Sequence, residues 1–383
     1  MKIYSAPMQG VTGWPFRMTH LKHYGGVDRY YMPFISVHQT RAMKGGEKRD
    51  MDPAHNEMSC MVPQLLPAGA EDTLFYMEMI RSAGYDEVSL NLGCPARTVV
   101  TKGKGAGILE DTGKLDEFLE HLFTGMEAEA CGGAGSRLLE GAQSEARSAC
   151  ETSQSGRSGL RVTIKTRIGM NSTDQIDELI RIYNRYPIAE VQVHARLGKD
   201  AYNGIPDKEA FRRFYDGIIH PVCYNGDICS IEDFRKLHEE FPDLSAVMIG
   251  RGLVADPMLA EKIQADLNPD MQQGHIQSGH TQPGHTQSGH TQPSRVQSEH
   301  ERLIRFHDDL CNAWYECYGQ EHPTICRMLE IWDYLGASFP GNERKVRKIR
   351  KARDLQTYRQ LADEVLNQEY CPGAKSGSFP VGH

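Results

Sequence analysis

The 383-residue chain has no excess of positive charge: 43 lysines and arginines stand against 51 aspartates and glutamates, a formal net charge of −8. A protein with that balance does not coat nucleic acid or anionic lipid indiscriminately, so any contact with a polyanion must be local. Long apolar runs are missing too. No stretch approaches the roughly 18 residues that would span a bilayer, and Met1-Lys2-Ile3-Tyr4 leads into Ala6-Pro7-Met8 without a signal-like apolar core. These absences predict a cytoplasmic protein with no membrane association. The ten cysteines form no Cys-x-x-Cys pair and no small-domain framework, which argues against structural zinc and a disulfide scaffold and fits reduced thiols. No Gly-x-Gly-x-x-Gly opens the chain, so the usual dinucleotide-binding turn is absent.

What is present is an alternation of short apolar runs with longer amphipathic stretches over residues 1–266, the pattern of a parallel sheet covered by helices. The candidate strands are 3–6, 29–32, 61–65, 88–92, 161–165, 191–194, 221–224 and 246–249. Eight strands with crossovers predict a closed (β/α)8 TIM barrel. Helical spacing is clear at Leu74, Met77 and Ile80, at Leu115, Phe118 and Leu122, and at Ile176, Leu179, Ile180 and Tyr183. Two segments break the alternation. Residues 127–159 are rich in Gly, Ala, Ser and Glu and read as a flexible insertion. Residues 267–299 contain a repeated five-residue unit of the type Gly-His-Thr-Gln-Pro and read as a low-complexity linker; its histidines, at 275, 280, 285 and 290, lack a fixed ligand geometry, and no metal site is expected. Beyond it, Leu303, Phe306, Leu310, Trp314 and Cys317, then Val346, Ile349, Ala352 and Leu355, recur at helical spacing, so 300–370 reads as a small all-α helical bundle followed by a tail, 371–383. Within it, Arg344, Lys345, Arg347, Lys348, Arg350, Lys351 and Arg353 form a basic helix face with no acidic partner inside the run, suited to an anionic ligand.

In such a barrel the reactive groups lie at the C-terminal strand ends, with a phosphate held by the loops after strands seven and eight. The residues at those ends are Pro7, Met8 and Gln9, Gln64, Asn91 and Cys94, Lys165, and His194. Asn225-Gly226-Asp227 follows the seventh strand and Gly250-Arg251-Gly252 the eighth, two glycine turns whose backbone N–H groups can approach an anion beside an arginine. A phosphorylated cofactor is expected. Cys94 sits in Asn91-Leu92-Gly93-Cys94-Pro95, just past a strand end, where its thiol can serve as a general acid or attack as a thiolate.

Assembled, these residues closely resemble the tRNA-dihydrouridine synthases, flavin-dependent barrels. The strongest piece is Asn91 to Pro95 followed by Lys102-Gly103-Lys104-Gly105-Ala106-Gly107. It is supported by Ala6-Pro7-Met8-Gln9-Gly10-Val11-Thr12, Lys165-Thr166-Arg167-Ile168-Gly169, Val193-His194-Ala195-Arg196 and the two glycine turns. One departure stands out: Gly13 occupies the position after Gly-Val-Thr where the family usually has aspartate. The resemblance implies FMN, its ring surrounded by Pro7, Met8, Gln9, Gln64, Lys165 and His194 and its phosphate held by Asn225, Gly226, Asp227, Gly250 and Arg251. It implies Cys94 as the acid that protonates C5 of a tRNA uridine while hydride reaches C6, with NADPH or NADH as reductant. Asn91 would meet the pyrimidine edge. Arg97, Lys102, Lys104 and the basic residues Arg344, Lys345, Arg347, Lys348 and Lys351 would contact tRNA, supplying locally the charge that the whole chain lacks. No obligatory protein partner is called for. Two rival readings are a flavin-dependent dehydrogenase of a free pyrimidine, which needs no basic bundle, and a noncatalytic tRNA-binding barrel, which needs no convergence of Cys94, Lys165 and His194.

Overall fold

The computed structural model describes residues 1–130, 159–269 and 298–373. Most of the expected insertion and linker, and the end of the tail, lie outside the described residues. The strands are β1 (Lys2–Ser5), β2 (Arg29–Tyr31), β3 (Ile35–Ser36), β4 (Met61–Val62), β5 (Gln64–Leu66), β6 (Glu87–Leu92), β7 (Arg161–Arg167), β8 (Glu190–His194), β9 (Val222–Asn225) and β10 (Ala246–Ile249). The helices are α1 (Trp14–His23), α2 (Gly45–Met51), α3 (Ala70–Ser82), α4 (Arg97–Val100), α5 (Thr112–Ala130), α6 (Ile176–Tyr183), α7 (Lys208–Gly217), α8 (Ile231–Glu240), α9 (Arg251–Ala255), α10 (Leu259–Leu267), α11 (Glu299–Tyr318), α12 (Glu321–Leu335), α13 (Glu343–Ile349) and α14 (Leu355–Leu366).

The strands form one sheet in the order β3-β5-β6-β7-β8-β9-β10-β1-β2-β4. Ten strands reduce to eight because two of the runs are interrupted by proline, which has no N–H to give a ladder. Pro33 separates β2 from β3 and Pro63 separates β4 from β5. The interrupted runs still pair along their length: Met32 N donates to Val62 O at 2.9 Å, Ile35 and Ser36 face Leu65 and Leu66, and Val37 N donates to Leu66 O at 3.1 Å. The two ends of the sheet are therefore the two halves of the same strand pair, and the sheet closes as an eight-stranded α/β barrel. Every residue of β6, β8 and β10 is buried, the mark of parallel strands covered on both faces.

The described residues divide into two compact units, one of Met1–Tyr30, Asp227–Asp243 and the described residues between Val247 and 373, the other of the described residues of Tyr31–Gly226 with Leu244–Ala246. In the second unit several buried strand positions are polar and bond to one another. Tyr31 donates to Glu87 at 3.2 Å, the amide of Gln192 donates to Tyr31 at 3.0 Å and to Glu190 at 3.1 Å, and Gln64 donates to Ser89 at 3.2 Å. Its helices are amphipathic: Ile176, Leu179, Ile182 and Tyr183 of α6, and Phe211 and Phe214 of α7, turn inward. Helix α5 continues to Ala130, into the stretch read as insertion, because Glu127 and Ala128 are good helix formers.

In the first unit α1 shares a core with the C-terminal helices through Phe16, Tyr24, Phe306, Leu310 and Trp332. Helix α11 opens with a capping box, Ser298 accepting from Glu301 N and Glu301 accepting from Ser298 N, and ends at Gly319 with φ +63°. The basic run departs from expectation. Helix α13 ends at Ile349, so Arg350, Lys351 and Arg353 lie beyond it, although Ile349 and Ala352 are buried as the spacing required. Like charges three and four positions apart disfavour a longer helix, and Asp354 caps the next one by accepting from Thr357 N. Among the described residues no helix is long and apolar enough to cross a membrane.

Candidate active site

Cys94 follows β6 in a loop fixed by one side chain. The carboxamide oxygen of Asn91 accepts the backbone N–H of Gly93 at 3.1 Å and of Cys94 at 2.9 Å, while its Nδ2 donates to Gln64 Oε1 at 2.9 Å. Gln64 passes the chain on to Ser89 Oγ. Both ends of the Asn91 amide are thus engaged within the protein. The second loop of the motif packs on the first: Ala106 N donates to Cys94 O at 2.9 Å, and Gly105, with φ +55°, has no room for a side chain because a Cβ would stand 2.7 Å from Cys94 O and 2.8 Å from Val99 Cγ1. Gly105 is the imprint of that close approach, and Gly107, where a Cβ would stand 2.7 Å from Val100 O, of a second one. Burial pushes the Cys94 thiol above its ordinary range, against the opposing pull of the Ala96 backbone and the cations Arg167 and Lys165. Such a thiol keeps its proton at neutral pH.

Lys165 lies opposite Asn91 in the β6–β7 register and donates to Asn225 Oδ1 at 2.9 Å. Burial first, then Arg167, brings its pKa down to about 8. His194, buried at the end of β8, faces Asn225 in the β8–β9 register, and its Nε2 lies 3.3 Å from Arg196 Nη1. Gln64, Asn91, Cys94, Lys165, His194 and Asn225 therefore converge at one end of the second unit. Gly226 is buried there, with Tyr224 Oη 2.8 Å from where a Cβ would stand.

Arg167, absent from the residues expected at the site, lies two residues past Lys165 on the same strand face and is 1% exposed. Its Nε donates to Gly93 O at 2.8 Å, and its Nη1 to Leu197 O at 2.8 Å and Ala201 O at 2.7 Å. It ties the cysteine loop to the loop after β8. Burial lowers its pKa to about 10, so it stays charged. The period of two along a strand was the available signal; the distant carbonyls were not readable.

The remaining cofactor candidates belong to the first unit. Pro7 and Met8 are partly buried and Gln9 is exposed; the turn is held by Met8 N donating to Thr12 Oγ1 at 2.8 Å and by Thr12 N donating to Met8 O at 3.0 Å. Arg251 pairs with Asp227 at 2.5 Å. Gly250 precedes α9, where a Cβ would meet Met8 Sδ at 3.4 Å.

Of the residues expected to meet RNA, Arg97, Lys102, Arg344, Arg347, Lys348 and Lys351 are exposed and Lys345 is partly buried. Lys104 differs: its Nζ donates to Val37 O at 3.0 Å, and burial, then Lys102, lowers its pKa.

The family model described as dihydrouridine synthase matches residues 4–128 and 126–279. The chain is 29% identical over 277 residues to the tRNA-dihydrouridine(16) synthase of Pseudomonas syringae pv. tomato, covering 69% of this chain and 75% of that one. It is 24% identical to the protein of the same name from Aquipseudomonas alcaligenes, over 69% and 76% of the two chains. A probable tRNA-dihydrouridine synthase of Rickettsia bellii is 26% identical over 68% and 70%. With the family match spanning the barrel and both loops that build the cysteine site, the chain belongs to the dihydrouridine synthase family.

Proposed function

We propose that the protein reduces a uridine in tRNA to 5,6-dihydrouridine, with Cys94 as general acid and FMN as resident cofactor. One observation carries the reading: a thiol kept protonated by burial is fixed by Asn91 beside two buried cations, Lys165 and Arg167, at the C-terminal strand ends of the barrel.

The donor set fits a flavin. Lys165 is a largely buried ammonium whose hydrogen bond among the described residues goes to the neutral Asn225, so an anionic ring edge would satisfy it. Within the second unit, Gln64, Lys165 and His194 are assigned to the FMN ring and Asn225 and Gly226 to its phosphate. FMN, when bound and reloaded by NADPH or NADH, supplies the hydride that C6 of the base receives. The protein's own part is the proton. Cys94 Sγ–H gives it to C5, so the C5=C6 bond gains one hydride and one proton, and the thiolate left behind is stabilised by Lys165 and Arg167 until solvent reprotonates it. Protonated donation is favoured over thiolate attack because burial disfavours the thiolate.

A uridine stacked in folded tRNA does not reach a barrel end, so the base is turned out into the site. Arg97 and Lys102 beside the cysteine loop, and the basic segment Arg344, Lys345, Arg347, Lys348 and Lys351, supply phosphate contacts.

The test is anaerobic reduction of the purified protein by NADPH, followed by addition of tRNA lacking dihydrouridine while flavin absorbance is watched. Rapid reoxidation that is lost in Cys94→Ala is expected. A flavin that stays reduced with tRNA but is reoxidised by free uracil would give the site to a small-molecule dehydrogenase.

A further inference from the structure

The loop after β8 presents two apolar side chains to solvent, Tyr202 at 40% and Ile205 at 90% exposure. Isolated exposed apolar residues are common on surfaces. This one is different because of how rigidly its loop is held. Two arginines that are 1% and 2% exposed, Arg167 and Arg196, spend their guanidinium groups on its backbone. Arg167 takes Leu197 O and Ala201 O at 2.8 and 2.7 Å, and Arg196 takes Asn203 O and Gly204 O at 3.0 and 2.7 Å. Between these anchors the chain turns through Ala201 at φ +49° and Gly204 at φ +70°, a left-handed conformation that alanine rarely adopts. The same Arg167 guanidinium holds Gly93 O, next to Cys94, and lies 5.6 Å from the centre of the Tyr202 ring. The loop therefore borders the cysteine site and projects Ile205 from a fixed base.

We infer that Ile205 is a base wedge: it enters the stack of tRNA at the gap left when the target uridine is turned out, and holds that gap open. This rests on the proposed tRNA uridine reduction. Apolar side chains inserted between base steps serve this purpose in proteins that unstack nucleic acid, and the insertion needs a rigid, exposed, apolar tip. A mobile loop would lose the benefit to the entropy of ordering it, which the two buried arginines have already removed.

The test compares wild type, Ile205→Ala and Ile205→Leu on two substrates: an unmodified tRNA transcript and an unstructured seven-nucleotide RNA carrying the same uridine. The reduced position is first mapped with the wild type, and 2-aminopurine is then placed 3′ to it to report unstacking. In Ile205→Ala the ratio of the rate on tRNA to the rate on the short RNA is expected to fall about tenfold, with the fluorescence rise on binding lost and the melting temperature of the protein unchanged. Ile205→Leu keeps both signals. An unchanged ratio and an unchanged fluorescence rise in Ile205→Ala overturn the wedge while leaving uridine reduction intact. Wild type that forms no dihydrouridine in tRNA overturns the proposed function, and the wedge with it, before any variant is compared.

Discussion

The backbone N–H of Cys94 is held 2.9 Å from the side-chain oxygen of Asn91, the residue three positions before it at the end of the same strand. That single bond converts a strand end into a fixed platform for a thiol. Asn91→Ala removes an acceptor shared by two N–H groups and leaves Gln64 Oε1 without its donor. A loss of about 2 kcal/mol in urea unfolding is expected from stranding such groups, together with a fall in kcat on tRNA. Cys94→Ala, by contrast, is expected to unfold at nearly the same urea concentration as wild type.

Cys94→Ala is expected to lower the rate of dihydrouridine formation by about 10²–10⁴, the usual worth of a positioned general acid. Because burial raises the thiol pKa, the proton is retained to higher pH than on an exposed cysteine. The single-turnover rate of Lys165→Met, in which no lysine at the site titrates, is therefore expected to hold through the ordinary thiol range and fall only above it. A rate that declines from neutral pH upward would assign the basic limb to another group.

Lys165 gives the opposite sign. Its pKa of about 8 in the folded protein lies below the 10.5 of an unperturbed lysine, so between those values the unfolded chain binds a proton that the folded one does not. Stability then rises with pH across that window. The unfolding free energy of wild type minus that of Lys165→Met is expected to increase from pH 8 to pH 10, measured by urea denaturation of flavin-free protein.

Two glycines of the cysteine motif separate strain from space. Gly103 has φ +65° with nothing within 4 Å of a Cβ, whereas Gly105 has φ +55° with Cys94 O at 2.7 Å. Gly103→Ala is expected to cost about 1–2 kcal/mol of stability from the left-handed conformation alone. Gly105→Ala should cost about 1–3 kcal/mol more, because backbone must move. It should also depress kcat, since the atom displaced belongs to Cys94.

Arg347 and Lys348 are exposed, while Arg350 pairs with Asp333. Replacing either exposed residue with alanine is expected to weaken tRNA binding and reduce the slope of log K against log salt by about 0.7–0.9. Arg350→Ala should change it less. Filter binding between 50 and 200 mM salt, roughly the range over which phosphate contacts are resolved, distinguishes the three.

The barrel was legible because its strands are short, apolar and regularly spaced, and the cysteine loop because its glycines answer to constraints within one short segment, as with Gly105 against Cys94 and the left-handed φ of Gly103. Net charge, the Cys94 motif and the basic run are properties of the chain itself. The folded molecule decided what the side chains do once distant segments meet. The Arg167 guanidinium serves carbonyls at Gly93, Leu197 and Ala201; Lys104 spends its ammonium on Val37; and the amide of Asn91 faces Gln64 and its own loop. Apart from the bonds of Asn91 to its own loop, these join residues from different strands or loops, and such long-range side-chain bonding leaves no periodic trace in sequence. Local spacing therefore named the reactive groups, and tertiary contact decided which of them are held in place and which do the holding.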